Sequence, residues 1–507
     1  MADKTTTWHI STNLQGGFCP VYFKNSYPTY GNLNQMSAMN NVNLTDPNLI
    51  TQGPLMVSLE DATTTFSGKF SLPRSFLRIA IDEATSYCIG NNTLFKLSSG
   101  AVRNDGFFPY TINKTSVTGE DGEDVFYWKG KLYGTYNHSG GQGDILELTP
   151  NSPSVVVDWG STKPENKETL QNAPHQALNG GDDDVYIANG NYIARLCYTD
   201  STPYFFDAQA LDFWQDSEVS TLTWNYNRVI IGVNRPNITG AIYNQSGIYT
   251  WNGVSDSWEG DPIEVNGRIG ALFTKNGITF CWWQESGQSD VYNFGYISDK
   301  LNPIKQFQGN LPLYYQVGEY KGFVAWLSGS NTTGGLVYLW GPSDNEVPTK
   351  AFQFVETLFP TVGGIGTPFG ELLVSSNYTI SYTVEKPSTT KFDSDCSFKT
   401  IVFNKDSSGQ PLSGPGFKSQ IDRIQVEIEP LSEGAWLIPT LTYDKAKSTL
   451  LLPAIKPSFG SPTIINLGSQ FPQVEDFRLD FDATTASPTQ PVRIRNLFIQ
   501  GHFINNN

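Results

Sequence analysis

The sequence predicts an all-β protein: a β-propeller of about seven irregular blades, between an extended N-terminal arm and a C-terminal β-sandwich or jelly-roll domain. Three observations carry this expectation. A strand-turn-strand-strand unit recurs between residues 75 and 392, longer two-residue alternation follows it, and a Pro- and Asn-broken opening fits neither pattern. Composition agrees, because 47 Gly and 30 Pro among 507 residues, with only 16% charged residues and 4 Met, leave little material for long helices.

The opening comes first. Eight Asn fall in the first fifty residues, and Gly16-Gly17, Pro20, Pro28, Pro47 and Pro54 interrupt every candidate strand. Residues 1–72 are therefore expected to form an extended arm with no core of its own. Trp8, Phe18, Tyr22, Phe23, Tyr27 and Tyr30 supply anchors for docking on the propeller rim or on a neighbouring subunit. The intramolecular alternative is a strand that completes the first blade and closes the ring.

Residues 73–392 are the expected propeller. Its clearest hairpins are Val125 to Gly134 and Val185 to Ala194, preceded at the same offset by Asp124 and Asp184. The shape returns in Leu222 to Ile231, Ala271 to Trp282, Tyr314 to Trp326 and Thr361 to Val374, with a first copy around Tyr87 to Phe95. Asn276-Gly277, Lys321-Gly322 and Phe369-Gly370 are turn signals because two-residue hairpin loops need positive φ. A third strand follows each hairpin, at Ile145, Tyr204, Ile248, Tyr292, Leu336 and Ile380. The turn-to-turn spacing of roughly 36 to 60 residues brackets the ~45-residue period of a propeller blade.

Residues 393–507 read as an antiparallel sandwich, with the boundary near Lys386 to Thr390. Ile424, Val426 and Ile428 alternate with Gln425, Glu427 and Glu429, and Phe477, Leu479 and Phe481 alternate with Arg478, Asp480 and Asp482. Strict alternation means one buried face and one wet face.

The charge of −16, with no run of Lys or Arg, disfavours direct nucleic-acid binding, which needs clustered cations. Met1 to Trp8 lacks the basic end and apolar run of a signal peptide, and no stretch of 18 apolar residues occurs, so a chain made in the cytoplasm without a membrane span is expected. Cys19, Cys88, Cys197, Cys281 and Cys396 are widely spaced and never paired as C-x-x-C, which indicates neither a disulfide framework nor a zinc site.

Catalytic, cofactor-binding and metal-ligating residues are all expected to be absent. His9, His138, His175 and His502 form no metal-binding spacing, and neither a nucleophile elbow nor a P-loop occurs. His138-Ser139-Gly140-Gly141 reads as a Gly-rich loop. The acidic segments Glu120 to Asp124 and Gly180 to Asp184 carry oxygen ligands dense enough to hold calcium but lack the ligand spacing of a calcium loop, so they read as solvated loops, with a calcium site as the alternative. Ser255 to Gly260 misses the sialidase box, and the kelch-like Tyr249-Thr250-Trp251 followed by Trp258 is not repeated. Cys281-Trp282-Trp283-Gln284 and Trp326 could stack sugars if exposed, but strand-borne aromatics are expected in blade cores. The sequons at Asn113 and Asn237 reflect a chain rich in Asn, Ser and Thr.

In layout the chain resembles virion proteins of tailed bacteriophages, particularly propeller-bearing tail proteins of the hub or nozzle type. The resemblance rests on Gln15-Gly16-Gly17-Phe18, the run Asn34 to Leu44, the irregular blades, and a β domain closing on Arg493 to Gly501. It implies a non-catalytic tail component of the virion, in several copies around the tail axis, with a homo-oligomeric assembly and other tail proteins as partners. The alternative is a carbohydrate-binding or carbohydrate-cleaving propeller whose partner is a host surface glycan.

Overall fold

The structure is a computed structural model that describes residues 7–14, 36–40, 42–44, 50–52, 56–58, 75–78, 85–90, 93–99, 110–116, 120–138, 142–148, 155–158, 170–180, 184–197, 205–235, 245–330, 334–341, 350–357, 362–367, 370–376, 380–383, 395–431, 433–456, 463–467, 471–485 and 492–505. These residues are almost wholly β, as the sequence predicts. They form eight sheets, none closed on itself, and a single 3-10 turn at Tyr314–Gln316. Two compact units emerge, one of residues 57–335 and 357–383, the other of 1–56, 336–356 and 384–507.

Sheets A to G follow chain order. Sheet A takes Ser75–Arg78, Thr85–Gly90, Thr93–Ser99 and Tyr110–Ser116. Sheet B takes Glu120–Trp128, Lys131–His138, Gln142–Leu148 and Val155–Asp158, with Leu170–Gln171 added beside the third strand. Sheet C takes Ala177–Asn179, Asp184–Asn189, Tyr192–Cys197 and Phe205–Asp212.

Sheets D and E are continuous because they share the 17-residue strand Glu259–Lys275. Its first half pairs with Gln245–Trp251 and its second half, from Gly267, with Ile278–Glu285. Glu218–Asn225 and Arg228–Asn234 complete D, and Val291–Ile297 and Leu301–Gln308 complete E. Sheet F is Val317–Tyr320, Phe323–Ser330, Gly334–Gly341 and Lys350–Thr357. Sheet G joins Val362–Gly366, Leu373–Ser376 and Ile380–Thr383 to the distant N-terminal strand Met56–Ser58.

The hairpins form where the sequence places turn chemistry. Lys129-Gly130, Asn276-Gly277 and Lys321-Gly322 have positive φ at both central positions, the backbone that a type I′ loop requires. The register follows, with Trp128 opposite Lys131 and Lys275 opposite Ile278.

Inner strands of the first unit, such as Asp184–Asn189, are buried on both faces, unlike a sheet with one wet side. Along Asp184–Asn189, Val185 and Ile187 join a core with Phe126, Trp128 and Tyr133 of sheet B. Tyr186 and Ala188 join another with Leu222, Val229 and Trp251 of sheet D. The same alternation carries cores from A to B through Tyr87 and Val125, and from D to E through Ile248 and Leu272. Between E and F, Trp326 stacks on Phe294 at 4.8 Å and donates its indole N–H to Tyr292 Oη at 2.8 Å. Val362–Gly366 of sheet G contacts Val317–Tyr320 of F on one side and Ser75–Arg78 of A on the other.

Polar side chains bridge the same steps by bonding backbone amides of the neighbouring sheet. Asp124 Oδ2 accepts Ala177 N at 2.8 Å, Thr221 Oγ1 accepts Leu272 N at 3.0 Å, and Thr223 Oγ1 accepts Thr274 N at 3.1 Å.

The other unit contains sheets H and I, and its residues 336–356 hold most of the last two strands of F. Sheet H orders Val42–Asn43, Ile50–Gln52, Arg493–Asn505, Phe417–Ile428 and Thr463–Asn466, with Thr7–Thr12 and Gln473–Val474 attached beside the path. Sheet I orders Met36–Asn40, Asp395–Thr400, Phe477–Thr485, Ala435–Tyr443 and Ser448–Leu451. Trp8 of H lies with its ring 6.2 Å from Phe477 of I. Alternation holds over Ile424 to Ile428, where Ile424, Val426 and Ile428 are buried, and is interrupted by a bulge between Ile421 and Arg423.

The described parts of the arm join three different sheets. Thr7–Thr12 pairs from Thr7 opposite His502 to Thr12 opposite Leu497, and Met36–Asn40 pairs with Asp395–Thr400. Met56–Ser58 joins sheet G and not the first sheet, where the intramolecular alternative would have put it. The physical reason is that strands this short satisfy their backbone groups only by joining a sheet edge, and a Pro-broken chain has no edge of its own. The expected anchors Phe18, Tyr22, Phe23, Tyr27 and Tyr30, and the boundary at Lys386 to Thr390, lie outside the described residues.

Candidate functional site

A cavity of about 350 Å³ opens in the first unit. Its walls come from the starts of successive sheets: Glu123 on the first strand of B, Ala173 and Pro174 ahead of C, Glu218 and Ser220 on the first strand of D, Arg268 and Ile269 on that of E, and Leu313, Tyr314 and Tyr315 ahead of F. Asn137 and Asn172 complete it.

Glu123 sits in a strand that the sequence presents as a solvated acidic loop. Glu120 to Asp124 is instead the beginning of Glu120–Trp128, with a bulge between Gly122 and Asp124. The Glu123 and Asp124 carboxylates are buried, and each has a specific partner. Asp124 Oδ1 accepts Val125 N, Asp124 Oδ2 accepts Ala177 N, and Glu123 Oε1 accepts Asn137 Nδ2 at 3.2 Å. Tyr314 Oη donates to the Glu123 carbonyl at 3.1 Å, tying the lead-in of sheet F to sheet B.

Asn137 is itself held from behind. Its Nδ2 also donates to Ala173 O at 2.9 Å, and its Oδ1 lies 3.1 Å from His175 Nε2. His175 Nδ1 donates to Ala188 O at 2.8 Å, since a carbonyl only accepts. Burial lowers the His175 pKa to about 4, against the opposing pull of the backbone acceptors at Ala188 and Gln171. Desolvation wins, and the ring is neutral near pH 7.

The remaining charges of the cavity are uncommitted. Glu218 is half-buried and Arg268 exposed, and neither side chain has a hydrogen-bond or ion-pair partner among the described residues. Tyr314 and Tyr315 meet edge to face, with centroids 5.1 Å apart and planes at 87°. The site therefore offers fixed acceptors, a free cation and an aromatic wall. It holds no metal cluster: among the described residues no three His, Cys, Asp or Glu come together to hold an ion.

The other residues singled out in the sequence are dispersed. His9 stacks on Phe498 at 6.5 Å, His502 Nδ1 pairs with Asp422 at 2.9 Å, and His175 lies behind the cavity residue Asn137, while the side chain of His138 lies outside the described residues. Asp184 pairs with Arg195 at 3.0 Å, while 139–141, 181–183 and the sequon at Asn237 lie outside the described residues. Cys281, Trp282, Trp283 and Trp326 are buried as strand-core residues. Tyr249 and Trp258 pack with Phe213, where the Phe213 and Trp258 rings stack at 5.5 Å. Glu218, Arg268, Tyr314 and Tyr315 carry no local motif, and only the knowledge that sheet starts converge would have marked them.

No family model matches the sequence, and no curated protein is recognisably related to it. Among solved structures the chain is similar to the computationally designed Ika8 protein, at 10% identity over 72% of this chain and 99% of that one. The TM-score of 0.39 is too low to transfer a fold or a function.

Proposed function

We propose that this chain is a non-catalytic structural component of a bacteriophage tail, of the hub, nozzle or tail-tip type, carrying a seven-bladed β-propeller and a C-terminal β-sandwich. Seven sheets in chain order, counting D and E separately, support the propeller. So do the contact of the last with the first and the cavity lined by five successive sheet starts. The observation that carries the structural role is the lacing of the N-terminal segment into sheets H, I and G. Such strand exchange between distant parts of a chain suits a scaffold that must resist distortion more than an enzyme that must open.

In this reading several copies surround the tail axis, and the net charge of −16 lets DNA pass without sticking. The test has two parts: mass spectrometry of phage particles made from the genome that encodes this chain, and light scattering with electron microscopy of the purified protein. Stoichiometric presence in the particle and a discrete ring-shaped oligomer are expected. Absence from purified particles would overturn the assignment.

A further inference from the structure

We propose that the cavity binds a neutral saccharide of one or two rings, with Glu123 and Glu218 accepting from its hydroxyls, Arg268 donating to them, and Tyr314 and Tyr315 forming the wall against the ring. This goes beyond the assembly role and does not depend on it.

The volume of about 350 Å³ falls at the lower end of the roughly 300–1,000 Å³ typical of small-molecule sites. The chemistry of the wall narrows the class. A ligand that is only cationic meets the unpaired guanidinium of Arg268, and one that is only anionic meets the carboxylates of Glu123 and Glu218. An apolar ligand would desolvate Glu218 and Arg268 without giving either a partner, which is strongly unfavourable. Sugar hydroxyls both donate and accept, so one ring can satisfy carboxylate, guanidinium and the Asn172 amide together. Its apolar face suits an aromatic wall.

The acceptor side is also preorganised. Glu123 is 5% exposed, and one of its oxygens is fixed by Asn137, whose amide nitrogen also donates to Ala173 O. A site whose buried carboxylate is already oriented loses less freedom when a ligand arrives.

The test is calorimetric and NMR titration of the full chain with glucose, galactose, N-acetylglucosamine and maltose, with choline and acetate as charged comparators. Saturable binding of at least one saccharide is expected, with a Kd of about 1 mM. Glu218→Gln and Tyr315→Ala should each weaken it about tenfold, whereas Trp214→Ala, outside the cavity, should leave it unchanged. Glu218→Gln is nearly isosteric at a side chain without partners among the described residues, so it keeps the test valid if Tyr315→Ala fails to fold. Three results would overturn the proposal: no saturable saccharide binding, binding indifferent to Glu218→Gln, or choline or acetate bound more tightly than every sugar. Oligomeric state measured on the same variants separates this outcome from that of the assembly role.

Discussion

Gln176 and Leu222 bond to each other as two strands would: Gln176 Nε2 donates to the Leu222 carbonyl at 2.8 Å, and Gln176 Oε1 accepts the Leu222 amide at 2.7 Å. Leu222 lies on the first strand of sheet D, whose outer edge has no strand beside it among the described residues, so the amide side chain of Gln176, just ahead of sheet C, stands in for one. Asn234 repeats the device one sheet later, donating to Ile269 O at 2.8 Å and accepting Ile269 N at 2.7 Å. Removing either clamp leaves a backbone donor and acceptor unpaired. Asn234→Ala should destabilise the first unit by roughly 2–4 kcal/mol in chemical denaturation, and Gln176→Ala by slightly less because Gln176 is more exposed. Gln176→Glu should not rescue, since a carboxylate cannot donate to the Leu222 carbonyl.

Trp8 faces Gly501 across the pairing of the chain's two ends, and a Cβ at Gly501 would collide with both the indole and the Gln420 carbonyl. Gly501→Ala must therefore displace a ring that is 1% exposed. We expect a loss of roughly 1–3 kcal/mol, seen in the unfolding transition of the sandwich unit.

Stability should fall on acidification through the titration of His175. Its pKa is lowered to about 4 in the folded chain, from an ordinary value of about 6.5 when unfolded. Between these values the unfolded chain binds more protons, so folding weakens as pH falls from about 6.5 to 4, by roughly 3 kcal/mol in all. His175→Gln should flatten this part of the pH profile, whatever its effect on stability at pH 7. A profile unchanged by the substitution would show that other groups govern it.

Cys88 and Cys281 are fully buried, and burial pushes both thiols far above their ordinary range. Neither should react with a thiol reagent under native conditions at pH 8, while both should react after unfolding. Peptide mapping after labelling distinguishes them from Cys197 and Cys396.

Deletion of residues 1–58 removes strands from sheets G, H and I together. The expected product lacks a cooperative unfolding transition. A folded, merely assembly-defective protein would contradict the lacing described above.

The repeated sheets were legible because their information is local. Gly130, Gly277 and Gly322 announce positive φ, and the flanking residues alternate at the right distance. Met56–Ser58 and Thr7–Thr12 were not, because a short strand with no turn beside it gives no sign of which distant edge it will join. The acidic stretch at Glu123 and Asp124 misled for a related reason. Its burial depends on Asn137 and on the amide of Ala177, and neither contact can be inferred from the charge run itself. The cavity follows the same rule, since its lining is assembled from positions about fifty residues apart that share only their place in a repeat.

The meeting of Thr7–Thr12 with Arg493–Asn505 fixes when this protein can finish folding. During synthesis Thr7–Thr12 leaves the ribosome long before Arg493–Asn505 and must wait for it. Sheets A to E, built from neighbouring segments, can form in passing, but G, H and I cannot close until their late strands arrive. A nascent chain stalled before residue 493 would therefore expose unpaired edges, and the Pro and Gly of the opening segment are suited to keeping such edges from pairing with other chains in the interval.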